Sequence, residues 1–586
     1  MCVNTPAAAT NLLERWRAGW PVALATWSKY TRLRDPRLCE SRVDAAGEGL
    51  SGSFAMIRLA DQRVVVDLQQ VRALALDDYA LEILAHEIGH HVLAPATATD
   101  QFRLLARIRR ALPTLERHAP MVANLYTDLF INDRLQRQAG LRMADIYRKL
   151  SATTPSHDPL WALYMGIYEN LWQLDRGSLG GADDDATCGD AWLGARLVRV
   201  YAGDWLDGAG RFATLLLPYL VENDKRHGAI GFLHDTAHAA ADCDPSGVLD
   251  VEADEIDGAI HPGRDPGITG DATPPAAPLP NTQQSKGQAR EPFEYGELLR
   301  AAGITLTDHE IAVRYYRERA LADLVPFPVR LSPASPEPQL EGLEPWQIGD
   351  PLDEIDWLQS TLQSPRVIPG LTTVRRVYGN APARERERVP VDLDIYVDSS
   401  GSMPNPQQRP SFLTLAGSII ALSALRAGSR VQATLWSGKH EVTATDGFVR
   451  DEDAILRVLT GFYGGATCFP IHRLRDTYAS RGKHARPVHI LQISDDGITT
   501  MFEPDERGNS GWQVAADALA RGGAGGTMAL NLPPRWTDAK YGHWAADLIR
   551  ARDEQGWDIH AVTAMEQLVA FARAFARKHY AGEAPR

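Results

Sequence analysis

Apolar positions recur along this chain in two rhythms, separated by a central stretch rich in proline. Over roughly the first 250 residues the spacing is mostly that of helices, with one early exception. Residues 54–59 and 63–68 are short apolar runs divided by Ala60-Asp61-Gln62, which predicts a hairpin. Beyond it Asp77-Asp78 stands as a candidate N-cap, and Leu81, Leu84, Ala85 and Ile88 follow at i, i+3, i+4 and i+7. This pattern predicts a helix with one buried stripe, ended by Pro95. Farther on, Val122, Leu125 and Leu129 form an apolar stripe, beside which Asn124, Asp128 and Asn132 make a polar ridge with a four-residue period.

From about residue 258 to 290 the composition shifts to Pro, Gly, Gln, Thr and Ser, as in Thr273-Pro274-Pro275-Ala276, and reads as a linker. The acidic run 250–257 before it is expected at a solvated domain edge. Residues 291–385 combine a helical stretch at 308–324 with proline-rich loops at 326–338, and no role is readable from them. After Val389 short apolar runs alternate with helices. Strands are expected at 393–397, 431–436, 488–493, 527–532 and 557–562, and helices at 413–425 and 565–580. Such alternation predicts a mainly parallel sheet flanked by helices. The expected organisation is therefore multidomain: a mostly helical α+β domain over 1–257, a linker over 258–290, an intermediate region over 291–385, and an α/β domain over 386–586.

Composition narrows the function classes. A chain of 586 residues exceeds what one hydrophobic core usually supports. A formal net charge of −14, with no sizeable basic patch, disfavours nucleic-acid binding. The five cysteines are scattered and never form a CxxC pair, so reduced thiols are expected. No secretory signal is visible at the N-terminus, and no apolar run approaches the length of a membrane span. A cytoplasmic location is the expectation.

Two metal-site signatures then stand out. His86-Glu87-Ile88-Gly89-His90 places two imidazoles at i and i+4 on one helix face with a carboxylate between them, the arrangement a hydrolytic zinc needs. His86 and His90 are the expected zinc ligands and Glu87 the expected catalytic base, taking a proton from the attacking water and returning it to the leaving amine. Asp128 is the expected third ligand, with Asn124 and Asn132 supporting it; the alternative is that this ridge faces water. His91 points a quarter-turn away and is expected to be supporting or structural. The second signature, Asp398-Ser399-Ser400-Gly401-Ser402, follows an apolar strand and offers one carboxylate and two hydroxyls, a hard oxygen site suited to magnesium.

The first signature, over residues 50–150, resembles zincin metallopeptidases. It is most similar to the bacterial metallopeptidase-like domains joined to von Willebrand factor A-like domains, where a second helix carries an Asn-x-x-x-Asp-x-x-Ile-Asn pattern like that of 124–132. It lacks the third histidine of an HExxHxxGxxH extension. Residues 389–580 resemble von Willebrand factor A domains, whose Rossmann-like sheet carries a metal-ion-dependent adhesion site. That resemblance assigns Asp398, Ser400 and Ser402 to Mg2+, adds Thr467 from Gly464-Gly465-Ala466-Thr467, and adds Asp495 from Ser494-Asp495-Asp496, where Asp496 is the alternative.

The resemblance implies a zinc metallopeptidase whose C-terminal domain recruits a protein partner through a magnesium-bridged acidic residue. The alternative is a non-proteolytic adaptor or co-chaperone of a MoxR-type AAA+ ATPase, which would be a separate protein, since no phosphate-binding Walker loop occurs here. A metal-chelatase-type subunit would not account for the HExxH motif.

Overall fold

The computed structural model describes residues 6–50, 52–153, 158–182, 184–226, 247–270, 288–325, 329–331, 339–379, 388–479, 481–482, 485–533, 535–538 and 542–563, with positions 243, 567, 571 and 575. The chain divides into two compact units, one over Met1–Tyr315 and the other over most of the remainder to Arg586. The first is mostly helical with a small mixed sheet; the second is α/β around a six-stranded, mostly parallel sheet.

In the first unit the expected hairpin forms as Ala55–Arg58 antiparallel to Arg63–Asp67, and its turn residue Gln62 takes a positive φ of 55°. A third strand, Arg37–Cys39, adds in parallel to Arg63–Asp67. The HExxH helix runs Ala80–Val92. Its N-cap is Tyr79, which makes no side-chain cap bond; Asp78, expected there, instead accepts from Arg15 at 3.0 Å. Nor does the helix have a single buried stripe: every residue from Glu82 to His90 is buried. Helices Pro6–Trp27 and Ala119–Arg137 and strand Ala55–Arg58 pack against it, so its polar residues are enclosed as well. Gly89 is required at this crossing. A Cβ there would stand 2.5 Å from Ile131 Cγ2 and 2.8 Å from Trp27 Cζ2.

The first unit extends past the expected linker. Pro262–Arg264 and Pro266–Thr269 are short helices with Pro262 and Ile268 buried, and Asp265 accepts from Tyr201 at 2.6 Å and pairs with Arg211. Residues 271–287 lie outside the described residues. The acidic run is a solvated edge only in part: Asp250 and Asp257 are exposed, while other acids of the run are engaged. Asp250–Val251 pairs with Gln288–Ala289, Glu252 and Asp254 pair with Arg107, and buried Glu255 receives Arg290 at 2.8 Å. These acids neutralise buried guanidinium groups, which cannot shed their charge.

In the second unit the strand order is 442–444, 431–436, 392–398, 488–494, 523–530, 558–561, all parallel except the first. The expected strands at 393–397, 431–436 and 488–493 appear as Asp392–Asp398, Val431–Trp436 and Val488–Ser494; those at 527–532 and 557–562 appear as Gly523–Leu530 and Asp558–Ala561. The antiparallel edge strand Val442–Ala444 was not expected. Asp392–Asp398 and Val488–Ser494 are buried along their whole length, so Asp392, Asp394, His489 and Gln492 are enclosed together with the apolar residues between them. The helix expected at 413–425 runs Phe412–Arg426, capped by Ser411. The helix expected at 565–580 falls almost wholly outside the described residues. In the intermediate region, Gln339–Pro345 pairs with Val374–Gly379.

Candidate metal centres

In the first unit the ridge helix, Ala119–Arg137, does not turn Asn124, Asp128 and Asn132 to water: all three are buried. It crosses the HExxH helix and brings Asp128 Oδ1 to 3.6 Å from His86 Nε2 and 3.4 Å from His90 Nε2. His86, His90 and Asp128 form the one group of three metal-capable side chains found among the described residues.

The protons around this triad can be placed from its hydrogen bonds. His90 Nδ1 lies 3.0 Å from the carbonyl of Ala94, which can only accept, so Nδ1 donates there and Nε2 is the nitrogen turned to Asp128. Asn132 donates through Nδ2 to the hydroxyls of Tyr147 at 2.9 Å and Tyr168 at 2.8 Å. Its Oδ1 therefore faces His86 Nδ1, 2.7 Å away, and makes that nitrogen the donor. Tyr164 lies 2.9 Å from the Tyr168 hydroxyl and extends the network. Burial, helped by His90, pulls the His86 pKa down despite Asp128 and Asn132, so its imidazole is neutral near pH 7. Asn124 Nδ2 donates to the other carboxylate oxygen, Asp128 Oδ2, at 3.2 Å.

Two imidazole nitrogens and one carboxylate oxygen thus converge in a buried space. Neither His90 Nε2 nor Asp128 Oδ1 has a hydrogen-bond partner among the described residues. Two imidazole nitrogens and a carboxylate oxygen brought this close together in a buried place are a donor set that fits a divalent metal. Glu87, 1% exposed, lines a cavity together with His86 and Asp128. His91 is a structural residue. Its Nδ1 lies 2.7 Å from Gln62 Oε1, which ties the helix to the hairpin turn.

In the second unit the central strand Asp392–Asp398 is followed in sequence by its neighbour on one side, Val431–Trp436, and later by its neighbour on the other, Val488–Ser494. The crevice beyond the carboxyl ends of such strands is where open parallel sheets bind ligands. Asp398 and Asp495 stand there. Asp398 Oδ1 accepts from the Ser400 backbone at 2.8 Å, the Ser400 and Ser402 hydroxyls are 3.1 Å apart, and Ser402 donates to Asp495 Oδ2 at 2.6 Å.

The loop carrying Thr467 closes on this turn through Gly464 N to Ser399 O and Gly401 N to Gly465 O. Thr467 packs against Gly497, two residues past Asp495; a Cβ on Gly497 would meet Thr467 Cγ2 at 2.5 Å. Of the two candidate aspartates, Asp495 makes the bond to this cluster. Burial pushes the Asp398 carboxyl up against the pull of Ser494 and Ser400, and Asp495 adds to the rise. Neighbouring carboxylates with hydroxyls between them match the oxygen donors that Mg2+ takes. The sequence reading missed Ser494, whose hydroxyl donates to Asp398 Oδ2 at 2.5 Å.

No protein-family model, curated protein or solved structure matches this chain. Among the described residues, no helix is long and apolar enough to cross a membrane. Among the described residues, Cys39, Cys188 and Cys468 are free thiols.

Proposed function

We propose that this protein is a zinc-dependent, zincin-like metallopeptidase whose second unit, a von Willebrand factor A-like domain, recruits a protein partner through a Mg2+ adhesion site. The observation that carries the hydrolytic half is the convergence of metal-capable side-chain atoms of His86, His90 and Asp128 in one buried place. A structural zinc takes four protein ligands, whereas three beside a cavity leave a position open for chemistry. When bound there, zinc supplies Lewis acidity to the attacking water and to the scissile carbonyl.

The chain's own residues do the rest. Asn132 and the Ala94 carbonyl hold the two imidazoles in the ligating tautomer, and Asn124 orients Asp128. Glu87, at the cavity wall, accepts the proton of the attacking water and passes it to the leaving amine. In the second unit, Asp398, Ser400, Ser402 and Asp495, with Thr467, would hold Mg2+, leaving a coordination position for a carboxylate of the partner. By resemblance that partner is a MoxR-type AAA+ ATPase and the setting is the cytoplasm.

Elemental mass spectrometry of purified protein tests the first centre. About one zinc per chain is expected in wild type, lost in His86→Ala and Asp128→Ala and kept in Asp398→Ala. Wild type that binds no zinc would sink the peptidase reading. Glu87→Gln should keep zinc and lower peptide cleavage by roughly 10²–10⁴-fold, the usual contribution of a positioned general base. If Glu87→Gln loses a partner-dependent function no more than wild type does and neither form cleaves peptide, the adaptor reading replaces this one.

A further inference from the structure

A cavity with about 50 Å3 of room adjoins the triad. Phe54, Ile83, Met143, Ile146, Leu150 and Trp161 wall it, and His86, Glu87 and Asp128 close one end. Met143, Ile146 and Leu150 lie on one face of helix Met143–Thr153, at i, i+3 and i+7, and all three are buried. The polar atoms away from the metal end are already engaged. Trp161 Nε1 donates to Ser151 at 3.3 Å, and the Tyr147 hydroxyl accepts from Asn132. No lysine or arginine lines the space. An anionic side chain entering it would give up its water, gain no cationic side chain and face the carboxylates of Glu87 and Asp128, whereas an aliphatic one would leave water at no such penalty. The room is also small. A cavity of about 150 Å3 is known to take benzene, and this one has a third of that.

We infer that this cavity is the specificity pocket of the site and takes a compact aliphatic side chain, alanine- to valine-sized, from the peptide residue next to the bond being cut. The face of helix Met143–Thr153 sets the size limit. This rests on His86, His90 and Asp128 being a metal centre.

The test is calorimetric titration of zinc-loaded, full-length protein with four peptidyl hydroxamates that differ in one side chain: methyl, isopropyl, indolylmethyl and carboxymethyl. The methyl and isopropyl compounds should bind at least about tenfold more tightly than the other two. Ile146→Ala, which removes part of the wall, should close most of the gap to the indolylmethyl compound and leave the carboxymethyl compound weak. The wild-type ranking stands as a test even if that variant does not fold. Equal affinities across the four, or a preference for the charged compound, would overturn the inference. Hydroxamates bind without turnover, so the two readings can fail separately. The expected ranking in a protein that cuts no peptide would refute the peptidase and keep the pocket. Peptide cleavage without side-chain ranking would do the reverse.

Discussion

Both imidazoles of the triad donate through Nδ1, and neither could be assigned that role from its place in the motif. His90 is fixed by a carbonyl four residues on, His86 by an amide 46 residues away whose own orientation depends on two phenols. This dependence makes a specific prediction. Tyr147→Phe or Tyr168→Phe alone leaves Asn132 Nδ2 one acceptor, so zinc affinity should fall by no more than about threefold. The double variant leaves none, and the amide is then free to turn and present Nδ2 to His86, which would move the proton to Nε2. Zinc affinity should then fall by roughly 10–100-fold, the range found when a ligand's supporting hydrogen bonds are removed. Competition with a chromophoric chelator reads this directly, and losses that simply add would show that the phenols only pack. The ridge Asn124, Asp128 and Asn132 was legible in the sequence because helical period is local. The phenols were not, because Tyr147 and Tyr168 stand on other helices.

Among the elements, the HExxH helix owes its position to one residue without a side chain. Gly89→Ala would push a methyl into Ile131 and Trp27, and overpacking of this kind costs about 1–3 kcal/mol. Chemical denaturation should show that loss, and an unchanged midpoint would mean that the two helices part easily. In the second unit the buried carboxyl of Asp394, on the central strand, is pushed up to about 7 by burial. Tyr478, donating at 3.0 Å, and Gln432, at 3.2 Å, only partly oppose the rise. The native state therefore holds a proton there that the unfolded chain releases from about pH 4 upward. The stability this contributes is full below pH 4, declines as pH rises towards 7, and is lost above it. Asp394→Asn should flatten that slope in denaturation curves taken between pH 4 and 8; an unaltered slope would assign it to other groups. Parallel strands were legible here from their apolar runs. The edge strand Val442–Ala444 was not, because it is short and half-exposed, so its sequence carries little patterning.

For the whole molecule the two centres make separable predictions, since each is completed within its own unit. Asp398→Ala should keep zinc and peptide cleavage while abolishing Mg2+-dependent capture of a partner, read by pull-down with and without chelator. Loss of cleavage in that variant would mean that the centres are coupled. The sequence by itself marked out the residues that gather at the two candidate centres, Asp128 among them, and where the helical and alternating halves lie. These follow from periods of 3.6 and 2 and from short motifs, which are properties of neighbouring residues. Tertiary structure alone decided the rest. It made Glu252, Asp254 and Glu255 of the acidic run the counter-charges of Arg107 and Arg290, and left Asp250 and Asp257 exposed. It bonded the Ser402 hydroxyl to Asp495, set Ser494 against Asp398, and placed an apolar cavity beside Glu87. Each of these outcomes joins groups tens to more than a hundred positions apart. Burial, by removing water as the alternative partner, decides which of those groups must meet.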